Sequence, residues 1–136
     1  MGSTATLQYN GSLRTTLTHT RSGTQVETDA PVDNHGKGER FSPTDMLSAS
    51  LAACMVTIMG IAADTHGIRF DDVQADIVKH MASDPRRVSK IEVHLRIKGS
   101  FSDKDKTILE RAGMTCPVFL SLHPDLEKEI SFSWEG

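Results

Sequence analysis

A chain of 136 residues with a formal net charge of −3 has room for one domain with one real core. It carries no long basic run, which argues against nucleic acid as its main partner. Two cysteines are too few for a small secreted scaffold, and no charged-then-apolar leader opens the chain, so a cytoplasmic location is expected.

The first elements read as strands. Ala5 to Asn10 and Ser12 to Thr20 flank Asn10-Gly11, whose residues tolerate positive φ and predict a hairpin turn. Ser22-Gly23 turns the chain into a third strand, Gln25 to Thr28. Residues 29–41 are polar and turn-rich, a loop of functional length in which Asp33, His35 and Glu39 could line the mouth of a site.

Ser42-Pro43-Thr44-Asp45 predicts a helix start. Ser42 can cap, Pro43 suits the first helical position, and Asp45 can answer back to the cap. Residues 46–63 then run without a charge, at the lower bound for a membrane span. The run is rich in Ala, Ser, Thr and Gly and has no Lys/Arg bias on one flank, so it reads as a central helix buried in a larger fold. Leu47, Leu51, Cys54, Ile58 and Ile61 recur on one face, and Gly67 can close the helix.

Two long strands follow. Val73, Ala75 and Ile77 alternate in the first. In the second, Ile91, Val93, Leu95 and Ile97 oppose Glu92, His94, Arg96 and Lys98. Asp84-Pro85-Arg86-Arg87 turns between them. Ser102 caps a helix from Asp103 to about Thr115. Cys116-Pro117 interrupts it, and Pro117 starts a short helix with Cys116 near its N-cap. Leu126, Ile130, Phe132 and Trp134 end the chain as a strand anchored by Trp134. The order β-β-β-α-β-β-α-α-β argues for an α+β fold and one domain over residues 1–136. The long apolar helix needs more cover than one small sheet offers, which predicts a homodimer.

The chemistry lies in the two thiols. A thiolate that attacks a peroxide becomes a sulfenic acid, and a nearby thiol condenses with it to a disulfide. The attacking cysteine needs a lowered pKa and a cationic or hydrogen-bonding partner. Cys54 lies about three turns into its helix, where the helix dipole helps little, so its cation must come from elsewhere. Arg14 and Arg40 are the candidates, with Lys37 behind them. The structural alternative makes Cys54 a small core residue and Cys116 a cap that only packs. Met46, Met55, Met59 and Met114 fit either an adaptable apolar pocket or ordinary core filling. The six histidines are scattered, with no Cys-x-x-Cys or His-x-x-x-His spacing, so a metal centre has little support.

Phe41-Ser-Pro-Thr-Asp-Met-Leu-Ser-Ala-Ser-Leu-Ala-Ala-Cys54, followed far downstream by Cys116-Pro-Val, resembles the superfamily of osmotically inducible protein C and the organic hydroperoxide resistance proteins. Thr28-Asp-Ala-Pro-Val-Asp-Asn and Gly36-Lys-Gly-Glu fit its OsmC-like branch. The resemblance implies an OsmC-like fold: curved antiparallel sheets around two central helices, in an intertwined homodimer with active sites at the subunit interface. It implies Cys54 as peroxidatic and Cys116 as resolving cysteine. The substrate would be an organic hydroperoxide, the reductant a dithiol, with no metal, haem or flavin. Peroxidases of the family carry a glutamate after the helix-starting proline, paired with an arginine. Here that position is Thr44, and the nearest acid is Asp45. That departure favours a second reading, a small-molecule binding or redox-sensing protein of the same fold.

Overall fold

The structure, a computed structural model, describes residues 2–136. The chain divides into two compact units, Met1–Met46 and Leu47–Gly136.

In the first unit, β1 (Ala5–Gly11), β2 (Arg14–His19) and β3 (Gln25–Asp29) form an antiparallel sheet in that order. The hairpin turn is not at Asn10-Gly11 as expected. Gly11 pairs with Arg14, and the two turn residues are Ser12 and Leu13, with φ of 54° and 65°. The cause is a register shift between Tyr9 and Gly11. Gly11, at φ 83°, takes up the irregularity, and Asn10 turns its amide onto the Thr16 hydroxyl at 2.6 Å. The Tyr9 hydroxyl then accepts the Leu13 N–H at 3.2 Å.

The loop after β3 folds back on itself. Gly36 N–H donates to Pro31 O at 2.9 Å and Gly38 N–H to Ala30 O at 3.2 Å. A Cβ on Gly36 would lie 1.7 Å from the Ala30 carbonyl oxygen, so backbone itself fills the space a side chain would need. Gly36→Ala is therefore expected to cost about 1–3 kcal/mol, as an overpacked site does. A shift in the urea midpoint at unchanged slope would measure it.

Helix α1 (Pro43–His66) begins with the expected cap. Asp45 N–H donates to Ser42 Oγ at 3.0 Å, and Ser42 N–H donates to Asp45 Oδ2 at 2.9 Å. It ends at Gly67, with φ of 64°. Ile68 N–H reaches Ala63 O at 2.8 Å, and Gly67 N–H makes a weaker 3.5 Å contact with Asp64 O. This pair is the Schellman closure the glycine permits.

The second unit holds β4 (Asp72–Ala82), β5 (Arg87–Lys98) and β6 (Glu127–Glu135), with β5 central. β4 and β5 are antiparallel, joined through the Asp84-Pro85 turn. β6 runs parallel to β5, which corrects the expectation of purely antiparallel sheets. The helices α2 (Asp103–Met114) and α3 (Pro117–Ser121) lie between them in the chain and carry it back to the start of β5. Such a crossover is what a parallel neighbour requires. The capping box predicted at Ser102 is present, with Asp105 as its second member.

The inner face of β5 is buried as the alternation predicts, through Ile91, Val93, Leu95 and Ile97. These residues join Leu51, Met55, Met59, Leu109 and Cys116 in one core. Gly113 lets α2 approach α1 closely. A Cβ there would sit 3.1 Å from Met59 Sδ. Trp134 anchors β6 by an edge contact with Phe101 at 5.0 Å and a stacked contact with Phe132 at 6.2 Å.

The buried face of α1 differs from the expected one. In the second unit it consists of Ser48, Leu51, Ala52, Met55, Met59 and Ala63. Leu47 and Ile61 are 40% and 57% exposed, while Cys54 and Ile58 are half-buried. Residues 46–63 of this helix carry no charge to show which side faces out, so periodicity alone chose the wrong seam. This helix is long and apolar enough to cross a membrane. Its fully buried Leu51, Met55 and Met59, packed in the core with β5, are those of a central helix in a folded domain.

Candidate active site

Cys54 and Cys116 lie 62 positions apart in sequence, yet the fold brings the two thiols near enough to influence each other electrostatically. α1 presents Cys54 from its middle, half-buried. Cys116 is fully buried at the N-cap of α3, and its Sγ accepts the Phe119 N–H at 3.4 Å. Pro117 at the first helical position sets this geometry, because a proline there needs no hydrogen-bond partner for its nitrogen. Burial pushes the Cys116 thiol up. The Phe119 N–H opposes that shift, and the contact with Cys54 adds to it. The arrangement keeps Cys116 as a protonated thiol beside a more accessible sulfur.

The candidate cations are placed in the first unit. Arg14 is clamped by Asp29, with Nε to Oδ1 at 2.7 Å and Nη2 to Oδ2 at 2.9 Å. Its Nη2 also meets Glu39 Oε1 at 3.1 Å. Asp29 is only 2% exposed, and its Oδ2 takes the Glu39 N–H as well. Such a two-pronged pair fixes a guanidinium in one orientation. Arg40 instead pairs with Glu27 at 3.0 Å on the surface, and Lys37 is exposed. Asp45 has its carboxylate engaged in the Ser42 capping box, and Thr44 Oγ1 lies 3.2 Å from Ser42 Oγ. Of the methionines, Met55 and Met59 are core, while Met46 helps line an apolar cavity of about 330 Å³ in the first unit with Leu7, Leu17 and Thr28.

The Arg14 hydrogen bonds hold the Asp29 carboxyl below the usual carboxylate range, against the opposing effect of burial. A depressed carboxyl contributes stability above its unfolded value, about 3.9, and loses it as pH falls through the lower folded value. Asp29→Asn is thus expected to lower the melting temperature at neutral pH and to flatten its fall below about pH 4. Thermal melts from neutral to strongly acid pH would show this.

The family model for OsmC-like proteins matches residues 36–131. The chain belongs to the OsmC-like family. A crystal structure from Psychrobacter arcticus 273-4, of a protein named for osmotic stress induction and detoxification response, is 43% identical. The match covers 97% of this chain and 96% of that one, with a TM-score of 0.93. An OsmC-like protein from Mycoplasma pneumoniae is similar in fold at 17% identity and a TM-score of 0.82, covering 100% and 99% of the two chains. An organic hydroperoxide resistance protein OsmC from Legionella pneumophila shares the fold at 18% identity and 0.76, covering 98% of each. No functionally curated protein matches.

Sequence reading missed two features of this OsmC-like chain. One is the carboxylate pair on Arg14, since Asp29 and Glu39 come from the end of β3 and the far side of a loop. The other lies on the outer face of the second sheet. There Glu92 is flanked by His80 and His94, with His94 Nε2 to Glu92 Oε1 at 2.9 Å. The hydrogen bonds from His94 first, then His80, hold the Glu92 carboxyl down at about 2. The alternation Glu92-x-His94 places both on one strand face, but strand pairing, absent from the sequence, supplies the neighbours.

Proposed function

We propose that this OsmC-like protein is a thiol-dependent peroxidase that reduces organic hydroperoxides. What supports the reading is a half-buried Cys54 whose thiol influences that of the buried Cys116. The Cys54 thiolate attacks the outer peroxide oxygen and the O–O bond breaks. The leaving alkoxide takes a proton and departs as an alcohol, and Cys54 is left as a sulfenic acid. The Cys116 thiol then displaces water from it, forming the disulfide. A dithiol reductant returns both sulfurs to thiols by exchange and is itself oxidised to a disulfide.

Arg14 is our candidate for the cation that this chemistry needs. Asp29 and Glu39 supply the carboxylates that hold it, in place of the family glutamate missing at Thr44. Arg40, tied to Glu27 and more exposed, is the lesser candidate. Asp45 contributes by capping the helix that carries Cys54. The substrate class is supported by the name of the Legionella relative, and the fold by all three relatives. We also infer a cytoplasmic homodimer with curved sheets, in which a second copy covers the exposed Leu47 and Ile61 of α1. Light scattering should return twice the chain mass.

The loss of the family glutamate favours the rival, a binding or redox-sensing protein with idle thiols. Titration with cumene hydroperoxide separates the two. One equivalent should consume both thiols and yield a Cys54–Cys116 crosslinked peptide by mass spectrometry. Thiols that stay reduced under excess oxidant would transfer support to the rival.

A further inference from the structure

We propose that the outer face of the β4-β5-β6 sheet binds a divalent transition-metal ion of the zinc class through His94 Nε2 and the carboxylates of Glu92 and Glu129. One donor atom from each of these three residues lies within 4.8 Å of the others. Ligand atoms in a tetrahedral site stand roughly 3.4 Å apart when each is about 2.1 Å from the ion. Small side-chain rotations close that gap. The residues are fixed on adjacent strands: Glu92 and Glu129 are register partners, and His94 follows on the same face of β5.

The surroundings match a metal site in a second way. His94 Nδ1 meets Ser131 Oγ at 2.7 Å, which sets the ring and turns Nε2 toward the carboxylates. A ligating histidine commonly has its other nitrogen held like this. His80 Nε2 engages the second Glu92 oxygen and orients that carboxylate. Glu92 is only 19% exposed, so its charge is poorly satisfied by water. An imidazole among the donors selects zinc, cobalt or nickel over calcium and magnesium, which take oxygen ligands.

Lys90 is the internal competitor. Its Nζ lies 3.3 Å from Glu129 and 3.5 Å from Glu127. An incoming ion takes Glu129 from Lys90, which keeps Glu127. This competition sets the sign of a diagnostic variant, because removing the ammonium must tighten metal binding.

The test is a cobalt(II) titration of the reduced protein, read by absorbance and by metal content after dialysis. The expected result is one ion per chain, with d–d bands and no thiolate-to-cobalt charge transfer. His94→Ala should abolish saturable binding, Ser131→Ala should weaken it by about ten- to a hundredfold, and Lys90→Gln should strengthen it. All three residues are on a solvent-facing sheet surface, and circular dichroism would confirm folding. Thiolate charge-transfer bands, unchanged affinity in His94→Ala, or no saturable binding would each overturn the proposal. It stands apart from the peroxidase reading, since neither thiol takes part.

Discussion

Cys54→Ser is expected to abolish hydroperoxide turnover, lowering it by about three orders of magnitude or more, as loss of a nucleophile does. A hydroxyl at that position has no accessible anion at neutral pH, and the O–O bond meets no comparable attacker. Cys116→Ser should behave differently. Its Cys54 still attacks once, so one equivalent of peroxide is consumed and the protein then stalls as a sulfenic acid. Steady-state peroxide loss, a single-turnover burst and a sulfenic-acid trap distinguish the two variants. Full turnover in Cys54→Ser would remove the enzyme reading altogether. The contrast also tests the burial argument. Cys116, fully enclosed and shifted upward by that enclosure, is suited to receive a sulfenic acid and poorly suited to meet a peroxide first.

Leu95→Ala should lower unfolding stability by about 2–5 kcal/mol, the range for emptying a packed aliphatic site. Leu95 is 1% exposed at the centre of β5, with Ala75 opposite on β4 and Phe132 opposite on β6. Strands on both sides limit how far the site can collapse around the missing atoms, which favours the upper half of that range. Urea denaturation would read the loss as a lower midpoint at constant slope. A change below about 1 kcal/mol would mean that β5 is not the packing centre of its unit.

The features legible in the amino-acid order were those written in neighbouring residues. Ser42 and Asp45, Ser102 and Asp105, and Cys116 ahead of Pro117 each carry their capping chemistry within four positions, and all three caps form. The inner face of β5 was legible because alternating charge marks its outside. Where no charge marks a side, as on α1, the buried seam came out rotated. The Asn10-Gly11 turn moved to Ser12-Leu13 because strand register is settled across a pair of strands. The parallel placement of β6 was hidden for a related reason: a strand's residues do not state which direction its neighbour runs. The two sulfurs, and Arg14 as a candidate cation, were named from sequence. That Asp29 and Glu39 hold Arg14 was not, because those contacts span 15 and 25 positions.

The location of Cys116 in the crossover between β5 and β6 has a mechanical corollary. A covalent link from there to α1 would tie the connecting segment to the central helix and close a ring of some sixty residues. A ring of that size restricts the unfolded chain by about 4 kcal/mol in the chain-entropy description. The spent, oxidised state would then outlast the reduced one under heat or protease, and a cell short of reductant would accumulate the sturdier form.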